Sequence, residues 1–406
     1  MIQREVVVSG LGLVSPHGNE PQRVFDALMQ GRSALHLYDP AGLPPAVVGQ
    51  VDFDPACCFT PLQLVGVDRV SQLAVAASEA ARHDAGWSEQ YEPERIGVYV
   101  GTGMGGAAAI DAAYLAQAEG KRASPMTIVA SMANAPAAHI AMRAKAHGPV
   151  FTYSVACASS SVAIAEAARA IRDGEIDIAI AGGCEALVIP SVIRAWQALR
   201  TLATPDPDHP ASSCRPFASN RSGFALAEGA AMLVLEAQSH AAARGAKHYA
   251  LWAGSGASCD AMHLTKPDAQ GQVRALRLAL QRSGLAPKDV GYCNAHGTAT
   301  LVGDLTECEA LRTVWAEALP SLRVSSTKSM HGHLLGAAGA LEALITVLAL
   351  QRKQIPPTAH SSPADPACAV PILRDQGIAA PGLRAAISSS FAFGGSNLVL
   401  AFRAAD

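Results

Sequence analysis

At 406 residues, half of them hydrophobic and only 16% charged, the chain can bury a large core without a covalent staple, and it is too apolar for intrinsic disorder. A formal net charge of -3 with no run of Lys or Arg excludes the electrostatic footprint of a nucleic-acid or anionic-membrane binder. Nine cysteines, an odd number dispersed without a CxxC pair, argue against a disulfide scaffold and give no zinc pattern.

In chain order, the run from Glu5 to Ser9 reads as a buried strand, and Met1 leads into it with no signal-peptide pattern. An Ala-rich helical pattern follows at 71–85, then a strand from Ile96 to Val100. GLG at 10–12 and GTGMGG at 101–106 follow strands but lack the later acid of a dinucleotide fingerprint, so both read as tight turns. Next come a helix at 160–173, a strand from Ile176 to Ala181, and a loop-like stretch at 185–225 that carries five prolines. A strand from Ala231 to Leu235 and a helix at 239–244 close the first half. The run from Tyr249 to Ala253 opens a second, with helices at 272–283, 305–318 and 338–352. Short β-branched strands alternating with helices predict an α/β architecture with strands buried on both faces. The division falls at about 250, giving halves 1–250 and 251–406, and strand, turn, reactive residue and Ala-rich helix near 150–173 echo those near 323–352. Apolar stretches near 160–190 and 334–350 are broken by charge or Gly before a membrane span is complete, which predicts a soluble, cytoplasmic protein with no membrane partner.

Three segments carry candidate chemistry. In Gly148 to Ile164 an apolar strand stops at Cys157 and small residues lead into a helix, so the thiol sits at a helix N-terminus, where unpaired N–H groups favour thiolate. A lone cysteine is ordinarily a buried core residue, so context must decide. Asn294 to Asp304 places His296 after an apolar segment, and Ser325 to Glu342 supplies Lys328 and His333 among glycines. A thiol and two imidazoles in glycine-bounded turns are what thioester chemistry needs: a nucleophile, and N–H donors for a carbonyl becoming an enolate. HGH at 331–333 lacks the further ligands of a metal site, so no metal is expected.

VACASSS around Cys157, NAHGTAT with His296, SSTKSMHGHLLGAAGALEA with Lys328 and His333, and SSFAFGGSN at 389–397 resemble, in order, the four signature blocks of β-ketoacyl-acyl-carrier-protein synthases. The nearest type is the elongating synthase II of bacterial fatty acid synthesis, together with its type II polyketide relatives. The resemblance implies a thiolase-like, five-layered αβαβα fold of two duplicated halves, the first carrying the cysteine and the second both histidines. It implies that Cys157 accepts an acyl chain while His296 and His333 hold the malonyl thioester, with Lys328, Glu342 and Asp304 in support. By the same resemblance the backbone N–H groups of Cys157 and Phe393 form an oxyanion hole. Phe391 and Phe393 belong to a gate hinged at Gly394 and Gly395, Thr298 and Thr300 bind the pantetheine arm, and Met104 lines the acyl pocket. No cofactor is implied beyond the phosphopantetheine of acyl carrier protein, and the implied partners are that carrier and a second subunit, identical or a chain-length factor.

Three departures qualify the match. The family's basic docking segment reads FTPLQLVGVDRVSQ at 59–72, with Arg69 alone, leaving Arg200, Arg215 and Arg221 as candidates for a carrier patch. RPFASNRSGF at 215–224 lacks two family acids, and His331 stands where similar synthases often carry Thr. These departures favour type II polyketide or polyene synthesis over housekeeping fatty acid synthesis. The competing expectations are a non-catalytic chain-length subunit, which would lose the nucleophile, and a non-decarboxylating thiolase, which pairs its nucleophile with one His and a second Cys.

Overall fold

The computed structural model describes residues 4–40, 42–87 and 91–405. Ten strands form its main sheet: β1 (Val6–Val14), β2 (Ile96–Gly101), β3 (Val150–Tyr153), β4 (Ile178–Glu185), β5 (Gly229–Ala237), β6 (Ala250–Cys259), β7 (Tyr292–Asn294), β8 (Arg323–Ser325), β9 (Ala385–Phe391) and β10 (Ser396–Ala404). Their spatial order is β8-β7-β9-β10-β6-β1-β5-β4-β2-β3. Numbered within its own half, each set of five therefore runs 3-2-4-5-1. The first three positions are parallel and the remaining pairings antiparallel in both halves. The two sets meet where β1 pairs with β6, Val6 opposite Trp252.

Alternation along the strands builds the layers. Val98, Val100, Ile178 and Ile180 face outward onto helix α1 (Arg69–Asp84) and the helix Ala135–Ala144 beside it, while Tyr99, Ala179, Ala181 and Leu233 face the centre. Asp68 caps α1 by accepting from the Val70 N–H. Gly12 lets α1 lie directly on β1, because a Cβ there would sit 2.1 Å from the Ala77 carbonyl oxygen. The middle layer holds α2 (Ser159–Arg172) and α5 (Ala338–Arg352), which pack on each other, α2 against β4 and β2 and α5 against β5 and β9. On the far side α3 (Ala269–Ser283) covers β6 and β10, and α4 (Leu301–Trp315) packs on α3. These are the five expected layers.

α5 is buried all round from Ala338 to Leu350, as the central helix of a large protein must be. The stretch Leu335–Arg352 is long and apolar enough to cross a membrane, yet 89% of it is buried inside the protein. The sequence-derived helices at 71–85, 160–173, 272–283 and 338–352 fall within three residues of α1, α2, α3 and α5, whereas 305–318 corresponds to α4 shifted by four at its start. Several helices escape that reading, Pro21–Met29 and Ala135–Ala144 among them, and two show why. Ala107–Ala118 is apolar with no buried side chain, so no periodic stripe marks it, and Pro190–Ala198 lies in the proline-rich stretch read as loop, its Pro occupying the first turn where no N–H is needed.

Candidate active site

β3 and β8 are the third strands of their respective halves in chain order, and the segments that follow them bring Cys157 and His333 face to face across the centre. After β3 the chain turns through Ala156 at φ +45°, and the elbow is tied by Ser159, whose Oγ accepts from the Val155 N–H at 2.8 Å and donates to the Ala156 carbonyl at 2.7 Å. The next two serines anchor α2. Ser160 Oγ accepts from the Ala340 N–H at 2.9 Å, and Ser161 Oγ lies 2.8 Å from Ser390 Oγ. Glycine makes this approach possible: a Cβ on Gly101 would sit 2.2 Å from Ser160 N, and one on Gly339 2.0 Å from Ser161 Oγ.

His333 Nε2 lies 3.1 Å from Cys157 Sγ. The rings of His296 and His333 meet edge-on with centroids 5.5 Å apart, and the sulfur and one nitrogen of each ring all lie within 4.8 Å of one another. All three side chains are buried, yet they line the foot of an open cleft of about 310 Å³. Phe391 and Phe393 line the same cleft, as do Thr298 and Thr300, whose hydroxyl oxygens are 3.0 Å apart. The Phe393 N–H donates to the sulfur, and the following Gly394 and Gly395 take φ of +86° and +74°. Trp196 and Phe224 complete the aromatic wall, Phe224 edge-on to His333 and Trp196 against Phe393.

Burial governs the ionisation. It pushes the Cys157 thiol up to about 11, against the pull of the Lys328 charge and the Phe393 N–H. The expectation of a resting thiolate is thereby corrected, because desolvation outweighs what the helix start supplies. Burial, with Lys328 second, holds both imidazoles well below their ordinary 6.5, hence neutral. Lys328 is fully buried and donates to Glu342 Oε1, while burial raises the Glu342 carboxyl to about 7.

Two carboxylates that sequence reasoning passed over hold the backbone. Glu307 accepts from the N–H groups of His296 and Gly297, each at 2.8 Å. Glu185 accepts from Gly103 at 2.7 Å and Gly336 at 3.0 Å, joining the turn after β2 to the segment after His333. Their available signals were an acid closing an all-apolar strand and an acid one helical turn beyond Asp304. Asp304 itself accepts from the Phe217 N–H at 2.8 Å and from the N–H groups of Thr298 and Ala299, so it steadies the loop while Glu307 grips His296.

Met104 is 52% exposed in the single chain and lies outside the lining of this cleft, its N–H donating to Glu185 Oε1 at 3.2 Å. Arg221 is buried against Asp365 at 2.6 Å and Arg215 is paired with Asp206, which leaves Arg200 as the exposed member of the proposed carrier patch. The Cys157, His296 and His333 donor atoms are also close enough together to bind a thiophilic cation, whereas His331 takes no part in that cluster.

Residues 3–241 match the family model for the β-ketoacyl synthase N-terminal domain, and residues 249–362 match that for the C-terminal domain. Nodulation protein E of Rhizobium sp. is 40% identical over 99% of this chain and the whole of the relative. The 3-oxoacyl-[acyl-carrier-protein] synthase 2 of Synechocystis sp. is 37% identical over 99% of this chain and 98% of its own length. Among solved structures, the ishigamide ketosynthase/chain length factor superposes with a TM-score of 0.92 at 33% identity, covering both chains fully. With both halves matched and such relatives spanning its length, the chain belongs to the β-ketoacyl synthase family.

Proposed function

We propose that this chain is a catalytically active 3-oxoacyl synthase that extends a Cys157-bound acyl chain by decarboxylative Claisen condensation with a malonyl-carrier thioester. The single observation that carries this reading is the convergence of one sulfur and two neutral imidazoles at the foot of an open cleft. Cys157 Sγ attacks the acyl-carrier carbonyl, and its proton passes to the departing pantetheine sulfur while His333 Nε2–H stands 3.1 Å from the attacking sulfur. The N–H groups of Cys157 and Phe393 receive the developing oxyanion. Malonyl thioester then enters, carbon dioxide leaves, and the enolate is stabilised by N–H donors of His296 and His333. Its carbon attacks the acyl-Cys157 carbonyl, and the cysteine thiolate released takes one proton from solvent to restore the resting thiol. Lys328 with Glu342 supplies the buried field, and Thr298 and Thr300 hold the pantetheine arm. No step calls for a bound cofactor or metal.

Cys157 is the one thiol lining the cleft among the described residues, which disfavours a thiolase that needs a second. A purely length-setting subunit would have no use for the retained trio. Leu62 and Val65, 84% and 63% exposed, stand in the segment where the family carries its docking cations, favouring a specialised carrier and a polyketide or polyene product. The exposed apolar side chains of Tyr114, Ile128 and Phe151 support a dimer, with a second copy or a chain-length-factor subunit. The test is to offer purified protein matched acyl and malonyl carriers from housekeeping and polyketide systems. Efficient Cys157 acylation by the housekeeping carrier alone would reject the specialised assignment.

A further inference from the structure

His331 lies two residues before His333, is buried to 1% exposure, and takes no part in the reaction described above. Its ring is nevertheless bonded at both nitrogens. Nδ1 is 2.7 Å from the Gly332 carbonyl oxygen and Nε2 is 2.9 Å from Thr327 Oγ1. A carbonyl can only accept, so Nδ1 carries the proton. Burial, followed by the Lys328 charge, holds the ring neutral, so Nε2 is a lone pair that accepts from the Thr327 hydroxyl. The imidazole thus spans the one-turn helix Lys328–His331, tying the Thr327 N-cap to the Gly332 C-cap.

The peptide unit between Gly332 and His333 is planar, so fixing its two polar ends fixes its orientation. Its oxygen is held by His331 Nδ1–H and its N–H by the Ala225 carbonyl at 2.7 Å. Gly332 sits at φ +76°, where a Cβ would meet the Ala225 oxygen and the Ala227 Cβ at 2.9 Å, so the backbone has no side chain of its own to steady it. From that peptide plane the His333 ring reaches the sulfur at 3.1 Å. We infer that His331 is a positioning residue, a two-ended clamp that sets the orientation of the His333 imidazole and keeps the Lys328 turn closed.

The inference rests on the condensing activity proposed above, and its test separates the two. Decarboxylation of malonyl-carrier thioester is followed for wild type, H331L and H331Q. Leucine fills the buried space without hydrogen bonds, whereas a glutamine amide can donate to Gly332 and accept from Thr327. H331L is expected to lose at least about tenfold in kcat with KM within about twofold, since misplacement of a catalytic group by about 1 Å can cost roughly a hundredfold. H331Q is expected to recover to within about threefold of wild type. A wild type without turnover rejects the condensing activity itself. An active wild type with H331L unchanged, or with H331Q as impaired as H331L, overturns the clamp alone. Should H331L fail to fold, a tenfold loss of kcat in H331Q is sufficient to overturn it.

Discussion

At the residue scale, each member of the trio has a separable loss. Replacing the nucleophile by C157A should abolish acyl-enzyme formation and condensation while leaving malonyl-thioester decarboxylation measurable, because the two imidazoles remain. H333A or H296A should instead lower decarboxylation by roughly 10²–10³-fold, the usual effect of removing one oxyanion donor. Equal loss of decarboxylation in C157A and H333A would contradict this division of labour. The pH dependence follows from burial. With the thiol pushed up to about 11, alkylation of Cys157 by iodoacetamide should rise about tenfold per pH unit from 7 to 9, and a plateau by pH 8 would show a resting thiolate. With both imidazoles held neutral well below 6.5, decarboxylation should lose no activity to their protonation between pH 8 and 6.5. The reactive residues were legible because their motifs surround them with glycine and small side chains. Glu185 and Glu307 were not, because a carboxylate that accepts only backbone N–H groups pairs with no other side chain and leaves no sequence pattern.

At the scale of elements, the site depends on how closely α2 approaches β2 and β4. G101A would place a Cβ inside the backbone at Ser159 and Ser160, and Gly183 faces the Ser160 side chain in the same way. Overpacking of this kind costs about 1–3 kcal/mol. For G101A we expect a lower midpoint of thermal unfolding and a drop of at least about tenfold in Cys157 acylation, because the elbow must shift; normal acylation would show that the elbow is not rigid. Helices with one polar face, such as α1 and α3, were readable from their period. Ala107–Ala118 was not, since its apolar residues run all round and none is buried in the single chain. Register was hidden for a related reason. The strands are apolar on both faces, so alternation gives no inside or outside until neighbouring strands are known.

At the scale of the molecule, the repeated strand order places the two third strands on either side of one central layer, which is why residues 176 positions apart in sequence share a hydrogen bond. The echo between the halves was visible in the sequence, but the convergence it produces was not. β3 lies at the edge of the ten-stranded sheet with Val150 and Phe151 exposed, and Tyr114 and Ile128 add further exposed apolar area. Light scattering should therefore give a dimer, or a complex with a synthase-like partner, that F151D together with I128D weakens towards monomer; a monomeric wild type with no partner would contradict the assembly. The most direct measurement of the central claim is mass spectrometry of the Cys157 peptide after incubation with an acyl carrier, followed by addition of malonyl carrier. An acyl adduct on Cys157 that is discharged with one carbon dioxide released per extended product is the expected result. No adduct at Cys157, or product formed without release of carbon dioxide, would contradict it.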